Sequence, residues 1–306
     1  MELLRKLVEV RAASSDEGRM KDFLLSYVRE NSKDWKVQPT IYEGRQFQDC
    51  IILVFGKPRT AIYAHMDSIG FSVGYEKELI KIGGPRAIDG MQLVGSDSQG
   101  EIETELMLIE TEEETSIQYV FDREIDRGTI LTFKPNYRET TEYVQSPYMD
   151  NRLGVWNALQ VAETLENGAI VFGTYEEHGG NTVASCARFL MEEYHVFQAL
   201  ISDITWVTNG VTHGGGVAIS MRDSGLPRRS YLDRIIELAK ASKVDFQLEV
   251  ESAGGSDGGV LQKASLPIDW CFIGAAEDNV HTPDEKVFKS DIHSMVELYK
   301  YLMANL

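Results

Sequence analysis

Long apolar runs, paired cysteines and an excess of basic residues are all missing from this chain. No stretch approaches the roughly 20 apolar residues of a membrane-spanning helix. The N-terminal "MELLRKLVEVRA" lacks the unbroken apolar segment and small-residue cleavage site of a signal peptide. Only three cysteines occur, Cys50, Cys186 and Cys271, and none stands at C-x-x-C spacing. Each falls in or beside an apolar run, which argues against a disulfide framework and for buried thiols in a reducing compartment. Thirty Lys and Arg face 48 Asp and Glu, a net charge of −18. A nucleic-acid surface needs Lys and Arg to displace phosphate counterions, so that partner is disfavoured. An acidic surface suits metal ions or positively charged substrates. The expectation is a cytoplasmic protein with neither nucleic acid nor membrane as partner.

What is present is an ordinary globular composition, 43% hydrophobic and 25% charged over 306 residues. Two amphipathic helices open the chain, the first with Leu3, Leu7 and Val10 on one face, the second with Met20, Leu24, Tyr27 and Val28. Strands are predicted at "KVQPTIYE", "CIILVFG" and "TAIYAH". From residue 69 to 145 the texture changes to short alternating segments such as "SIQYVF" and "GTILTF", the pattern of a small barrel or sandwich. That quarter of the chain holds 16 acidic and 7 basic residues, a net of −9 and half the total. It reads as an inserted all-β domain, 69–145, within a domain built from 1–68 and 146–306. An acidic loop is expected at "ETEEET". After residue 146, strands "AIVFGTY", "ALISD", "GVAISM", "FQLEV" and "IDWCFIG" alternate with helices near 152–166, 181–194, 230–243 and 257–264, and a last helix carries Ile292, Met295, Val296, Tyr299 and Leu302. The fold class is therefore α/β, with a mixed sheet of about eight strands covered by helices on both faces.

Five metal-binding side chains stand where predicted strands give way to loops: His65 in "AHMDSIG", Asp150 in "YMDNRLG", Glu177 in "YEEHGG", Asp203 in "ISDIT" and His281 in "VHTPDE". Alone, each has a plainer reading: a polar strand end, a helix N-cap, a solvated acidic turn. Together they are two imidazoles and three carboxylates, the inventory for two divalent ions sharing a bridging carboxylate. Three negative charges against four positive leave room for a hydroxide and a polarised carbonyl. Asp67 is placed to accept the second ring proton of His65, and Glu176 to act as general base. The pattern points to a two-metal hydrolase.

A competing pattern exists. "GGSDG" at 254–258 matches G-x-S-x-G, and "HGGG" at 213–216 resembles an esterase oxyanion motif, which would make Ser256 a nucleophile. However, "ESAG" separates the motif from the strand an elbow must follow, and few residues remain downstream for an acid and a base. His178 reads as a loop residue beside the base, and His195 and His293 as surface histidines.

The ordered set "HMD…IGF", "DNRLG", "EEHGG", "SDIT", "GGSDGG" and "HTPDE" resembles the cocatalytic-metal aminopeptidases that include glutamyl and tetrahedral aminopeptidases. The resemblance covers nearly the whole chain. It implies a zinc-peptidase-like catalytic domain, with one ion on His65 and Asp203, the other on Glu177 and His281, and Asp150 bridging. It implies Glu176 as base, Asp67 as orienter of His65, and a cis peptide between Asp150 and Asn151. The insert becomes a PDZ-like dimerisation domain in a homo-oligomer, a dimer at least and up to a dodecamer. The expected cofactors are two divalent ions, zinc first, with cobalt or manganese as alternatives. The expected reaction removes the N-terminal residue of a peptide with a free N-terminus, using a water held between the ions. Alternatives are an amidohydrolase or deacylase at the same site, the Ser256 hydrolase, and an inactive metal-binding scaffold.

The chain departs from the family pattern at three places. Asn151 stands where a second Asp is usual, Ser68 where a Glu commonly follows His-x-Asp, and Glu277-Asp278-Asn279 where Arg-Tyr precedes the last histidine. Glu277, Asp278 and Asp257 are candidate substrate contacts, the first two favouring a basic residue at the substrate N-terminus.

Overall fold

Strands that read as nearly continuous apolar runs are satisfied between two layers of helices, and this is where "IILVF", "TAIYAH" and "GAIVFG" lie, buried along their whole length. The computed structural model describes residues 1–110 and 115–306, so the core of the "ETEEET" loop, 111–114, lies outside the described residues. In chain order the elements are α1 (Glu2–Glu9), α2 (Gly18–Asn31), β1 (Thr40–Tyr42), β2 (Ile51–Phe55), β3 (Thr60–His65), β4 (Gly70–Val73), β5 (Leu79–Ile82) and β6 (Gln92–Asp97). There follow β7 (Gly100–Glu110), β8 (Thr115–Val120), β9 (Ile130–Phe133), β10 (Arg138–Glu139), β11 (Tyr143–Gln145), α3 (Met149–Ala162), β12 (Gly168–Gly173), α4 (Thr182–Tyr194) and β13 (Gln198–Trp206). The chain ends with β14 (Val217–Arg222), α5 (Arg229–Ser242), β15 (Phe246–Val250), α6 (Asp257–Lys263), β16 (Asp269–Asp278), β17 (Lys286–Phe288) and α7 (Lys289–Asn305).

The larger sheet runs β1-β2-β12-β3-β13-β16-β17-β11-β10, with β14 on β16 and β15 on β14. That is eleven strands rather than eight. The additional ones, β10, β11 and β17, are two or three residues long, too short for alternation to register. Helices α1, α2, α3, α5 and α7 pack on one face and α4 and α6 on the other, each face with its own apolar cluster. A second sheet, β5-β4-β9-β6-β7-β8, is wholly antiparallel. A bridge between Glu78 and Gln118 joins its ends, closing it around Phe71, Leu93, Leu106, Tyr119, Leu131 and Phe133. Strands β10 and β11, which sequence texture groups with this insert, hydrogen-bond within the larger sheet instead. No helix among the described residues is long and apolar enough to cross a membrane.

Helix α3 lies directly against β13, and one residue permits it. A Cβ on Gly154 would meet the Ser202 carbonyl oxygen at 2.1 Å and Asn151 Oδ1 at the same distance. Backbone cannot yield as a flexible side chain can. Gly154→Ala is therefore expected to destabilise the protein by about 1–3 kcal/mol or more, read as a lower denaturant midpoint in equilibrium unfolding. An unchanged midpoint would show that α3 slides freely on the sheet.

Candidate metal centre

Strands β3, β12 and β13 are mutually parallel around β3, so the carboxyl ends of β3 and β12 and the latter half of β13 open on one side of the sheet. Such an edge is where open α/β sheets gather their chemistry. His65 is the last residue of β3, opposite Gly173 of β12. Beyond Gly173 the chain turns through Tyr175, in the left-handed region at φ 65°, into the short 3-10 turn Glu176–His178. Asp203 stands within β13, Asp150 at the start of α3, and His281 in the loop after β16. The peptide between Asp150 and Asn151 is cis.

These five side chains converge. His65 Nε2 lies 3.2 Å from Asp150 Oδ1 and 3.6 Å from Asp203 Oδ2. His281 Nε2 lies 3.4 Å from Asp150 Oδ2 and 3.2 Å from Glu177 Oε2. The result is two three-ligand sets, His65–Asp150–Asp203 and Asp150–Glu177–His281, with the ligand atoms of each within 4.8 Å of one another and one Asp150 oxygen facing each set. Glu176 belongs to neither, its Oε2 standing 3.9 Å from His65 Nε2.

A shell of buried groups fixes this arrangement. Asp67 Oδ1 is 3.4 Å from His65 Nδ1, and the Asp67 carboxylate accepts hydrogen bonds from Ser14 Oγ and from the backbone N–H groups of Glu176 and Glu177. Glu17 accepts from the N–H of Tyr175 at 3.1 Å. His281 Nδ1 faces the carbonyl of Gly84 at 3.1 Å, so a loop of the insert fixes which ring nitrogen faces Asp150. Glu285 accepts from the N–H of Asp150 with one oxygen and from that of His281 with the other, tying two ligand segments 131 residues apart. Asn151 donates to the Ser202 carbonyl and accepts from Gly154 N–H. A carboxylate there could not donate that bond.

Charge is the other feature of the cluster. Burial opposes a charge on His65, and Asp203, Glu176, Asp150 and Asp67 overcome it, holding the imidazole well above its ordinary value. His281, half-buried, is likewise raised to about 11 by Asp150 and Glu177. Burial, with Asp203, Asp257 and Glu177 adding repulsion, pushes Glu176 well up. Buried Glu177 Oε1 has no hydrogen-bond partner. Crowded carboxylates with imidazole nitrogens between them are a donor set that divalent cations satisfy, so the residues present fit two such ions. With His281 raised to about 11 and His65 held well above its ordinary value, cation binding should displace protons from the imidazoles. Titrating zinc into chelator-treated protein at pH 7 should release protons, seen as a dependence of calorimetric heat on buffer ionisation enthalpy. Affinity should rise with pH. Binding without proton release would mean the imidazoles are already neutral.

The other sequence-stated candidates are placed differently. Glu277 is 1% exposed, behind the ligands rather than beside the cavity, with neither oxygen hydrogen-bonded. Asp278 points away and is matched by His213 and Lys286, each at 2.9 Å. Neither lines the cavity, which corrects the expectation that they face the substrate: both sit at the end of β16, where pairing with β17 sets the strand's orientation. Asp257 is buried under the site, and burial pushes it up to about 7. It too is absent from the cavity wall. Ser256 caps α6, accepting from Gly258 N–H and donating to Asp223 Oδ2, with no histidine among its hydrogen-bond partners. That arrangement removes the basis for a serine nucleophile. His178 accepts from Gly83 N–H, and His195 and His293 are exposed. Sequence reasoning missed Asp223, Glu249 and Glu251, which line the same cavity as the ligands. It also gave no role to Glu285, although "HTPDE" contains it.

A sequence model of the family described as M42 glutamyl aminopeptidase matches residues 89–298. Among solved structures, the aminopeptidase APDkam598 from the archaeon Desulfurococcus kamchatkensis superposes with a TM-score of 0.85 at 20% identity, covering 100% of this chain and 94% of that one. The TET aminopeptidase from the marine sediment archaeon Thaumarchaeota archaeon SCGC AB-539-E09 gives 0.86 at 16% identity, covering 100% and 96%. The TET1 peptidase of Pyrococcus horikoshii, which can assemble into a tetrahedron or a large octahedral shell, gives 0.81 at 19%, covering 100% and 99%.

Proposed function

The chain belongs to the M42 glutamyl aminopeptidase family and is a metal-dependent aminopeptidase, and from that premise we propose that it removes the N-terminal residue of peptides using two divalent ions held on the two ligand sets that share Asp150. The observation that carries this reading is the pair of three-ligand sets with Glu176 beside them and in neither. His65 and Asp203 would hold one ion, Glu177 and His281 the other, and Asp150 both. Mixed imidazole and carboxylate donors suit zinc, and also cobalt or manganese. When bound, the ions would acidify a shared water and polarise the scissile carbonyl.

The chain's own residues do the rest. Asp67, 3.4 Å from His65 Nδ1, and the Gly84 carbonyl, 3.1 Å from His281 Nδ1, would hold the two imidazoles in orientation. Asp67 also anchors the backbone of Glu176, which supports a role for its carboxylate in taking a proton from the attacking water and returning it to the departing amine. The cavity beside the centre is about 260 Å³, below the usual range for drug-sized ligands and suited to little more than one residue. That size favours removal of a terminal residue over cleavage within a chain. Metal-loaded protein should release coumarin from aminoacyl substrates and cleave a free peptide but not its N-acetylated form. Equal cleavage of the blocked peptide would rule out the exopeptidase reading.

In the same reading, the part of 69–145 that forms the second sheet, β4 to β9, is the inserted domain and serves self-association, β10 and β11 belonging to the larger sheet. Tyr75, Ile80, Ile88 and Val120, all at least half exposed, lie on it, and apolar side chains gathered on one small domain suit a protein partner. Ile80→Lys combined with Val120→Lys should lower the mass measured by light scattering towards that of one chain. An unchanged mass would move the contacts to the catalytic domain.

A further inference from the structure

The wall of the cavity away from the ligands is built from Trp206, Phe272, Asp223, Glu249 and Glu251, and no lysine or arginine lines it. Two divalent ions would match the charge of the ligand carboxylates and Glu176, but nothing on the wall matches these three. Asp223 is partly engaged in its own turn, accepting from Gly225 N–H at 2.5 Å and from Ser256 Oγ at 3.3 Å. Glu249 accepts from Thr205 Oγ1 through one oxygen.

Strand β15 shows that this acidity is built rather than incidental. Among the described residues it is an edge strand, paired only with β14. An edge strand normally turns apolar residues inward and polar ones to water. Here Leu248 and Val250 are 45% and 67% exposed, while Glu249 between them is 3% exposed and faces the cavity. Burying a carboxylate is costly without a partner, and such reversals of local rules concentrate at functional sites. Burial, with Glu251 and Asp223 adding repulsion, raises Glu249 above the ordinary carboxylate range. A cation in the cavity would relieve that repulsion.

We propose that Glu249 and Glu251, with Asp223 behind them, form the side-chain subsite for the substrate's N-terminal residue, and that this subsite selects lysine and arginine. The inference rests on the aminopeptidase reading above and refines it. The aliphatic stem of the substrate side chain lies along Trp206 and Phe272, and its charged end meets the glutamates. A glutamate side chain in the same place faces three like charges.

The test compares kcat/KM for Lys, Arg, Leu and Glu coumarin substrates on metal-loaded wild type, Glu249→Gln, Glu251→Gln and Val250→Thr. Lys and Arg should lead Leu by about tenfold or more, with Glu last. Each glutamine variant should lower the Lys/Leu ratio severalfold, whereas Val250→Thr, on the outward side of the same strand, should leave the ratio in place. If buried Glu249→Gln does not fold, as judged by its melting curve, the half-buried Glu251→Gln carries the comparison. In parallel, calorimetric binding of 1,5-diaminopentane should weaken in the glutamine variants. That measurement needs no turnover, so it decides the subsite even if no aminoacyl substrate is cleaved, an outcome that would overturn the aminopeptidase reading alone. Leu or Glu leading in wild type, or a Lys/Leu ratio or diaminopentane affinity unmoved by both substitutions, would overturn the subsite. So would a third divalent ion per chain that is lost in Glu249→Gln, since the wall would then be a metal site.

Discussion

Glu176→Gln is expected to lower kcat by about 10³-fold, within the 10²–10⁴ range of general acid–base catalysis, while bound metal stays at the wild-type level. The two readouts separate because the geometry separates them. Glu176 lies outside both ligand sets, and its position is set by its own backbone N–H bonded to Asp67 Oδ1 at 3.2 Å rather than by coordination. Glutamine keeps that shape but cannot accept the proton of an attacking water. Steady-state kinetics with elemental analysis of the same preparation checks both halves. KM should change much less than kcat, because the side chain acts on the proton and not on the bound residue. A variant retaining activity within tenfold of wild type would place the base elsewhere. Lost metal would make Glu176 a ligand.

Asp150→Ala should have the largest effect of any single substitution, removing both ions and reducing activity to background. Its two oxygens face different imidazoles, at 3.2 Å from His65 and 3.4 Å from His281, so one truncation breaks both ligand sets. Loss of a ligand from one set should act differently: His281→Ala leaves His65, Asp150 and Asp203 together and should retain one ion per chain. Metal content at a concentration that saturates the wild type tests the contrast. One ion retained by Asp150→Ala with ordinary affinity would confine Asp150 to a single set.

The sequence made most of the centre legible because its members, except Asp203 inside β13, sit at punctuation points of the chain. His65 ends one buried strand, Glu176 and Glu177 follow another, and Asp150 precedes a helix. Where periodicity stops and a ligand-type residue appears, one dimension carries the signal. The supporting groups give no such signal. Glu285 acts through backbone N–H groups of Asp150 and His281, and Gly84 through its carbonyl, so neither contact depends on a recognisable side-chain pair. Glu277 and Asp278 mislead for a related reason. They are near His281 in sequence, but the pairing of β16 with β17 buries one and turns the other towards His213 and Lys286.

By itself, then, the sequence determined the α/β class, the β-rich texture after residue 69, and the five ligand-type residues with the glutamate beside one of them, because periodicity and residue type are local properties of a chain. Tertiary structure alone decided which oxygen of Asp150 faces which imidazole, that a loop of the insert fixes His281, and that the cavity wall is Asp223, Glu249 and Glu251. Those facts depend on strand order and register between segments far apart in the chain. Along "FQLEV", alternation reveals that Glu249 faces opposite to Leu248 and Val250, but only packing against Thr205 decides that the glutamate is the one turned inward.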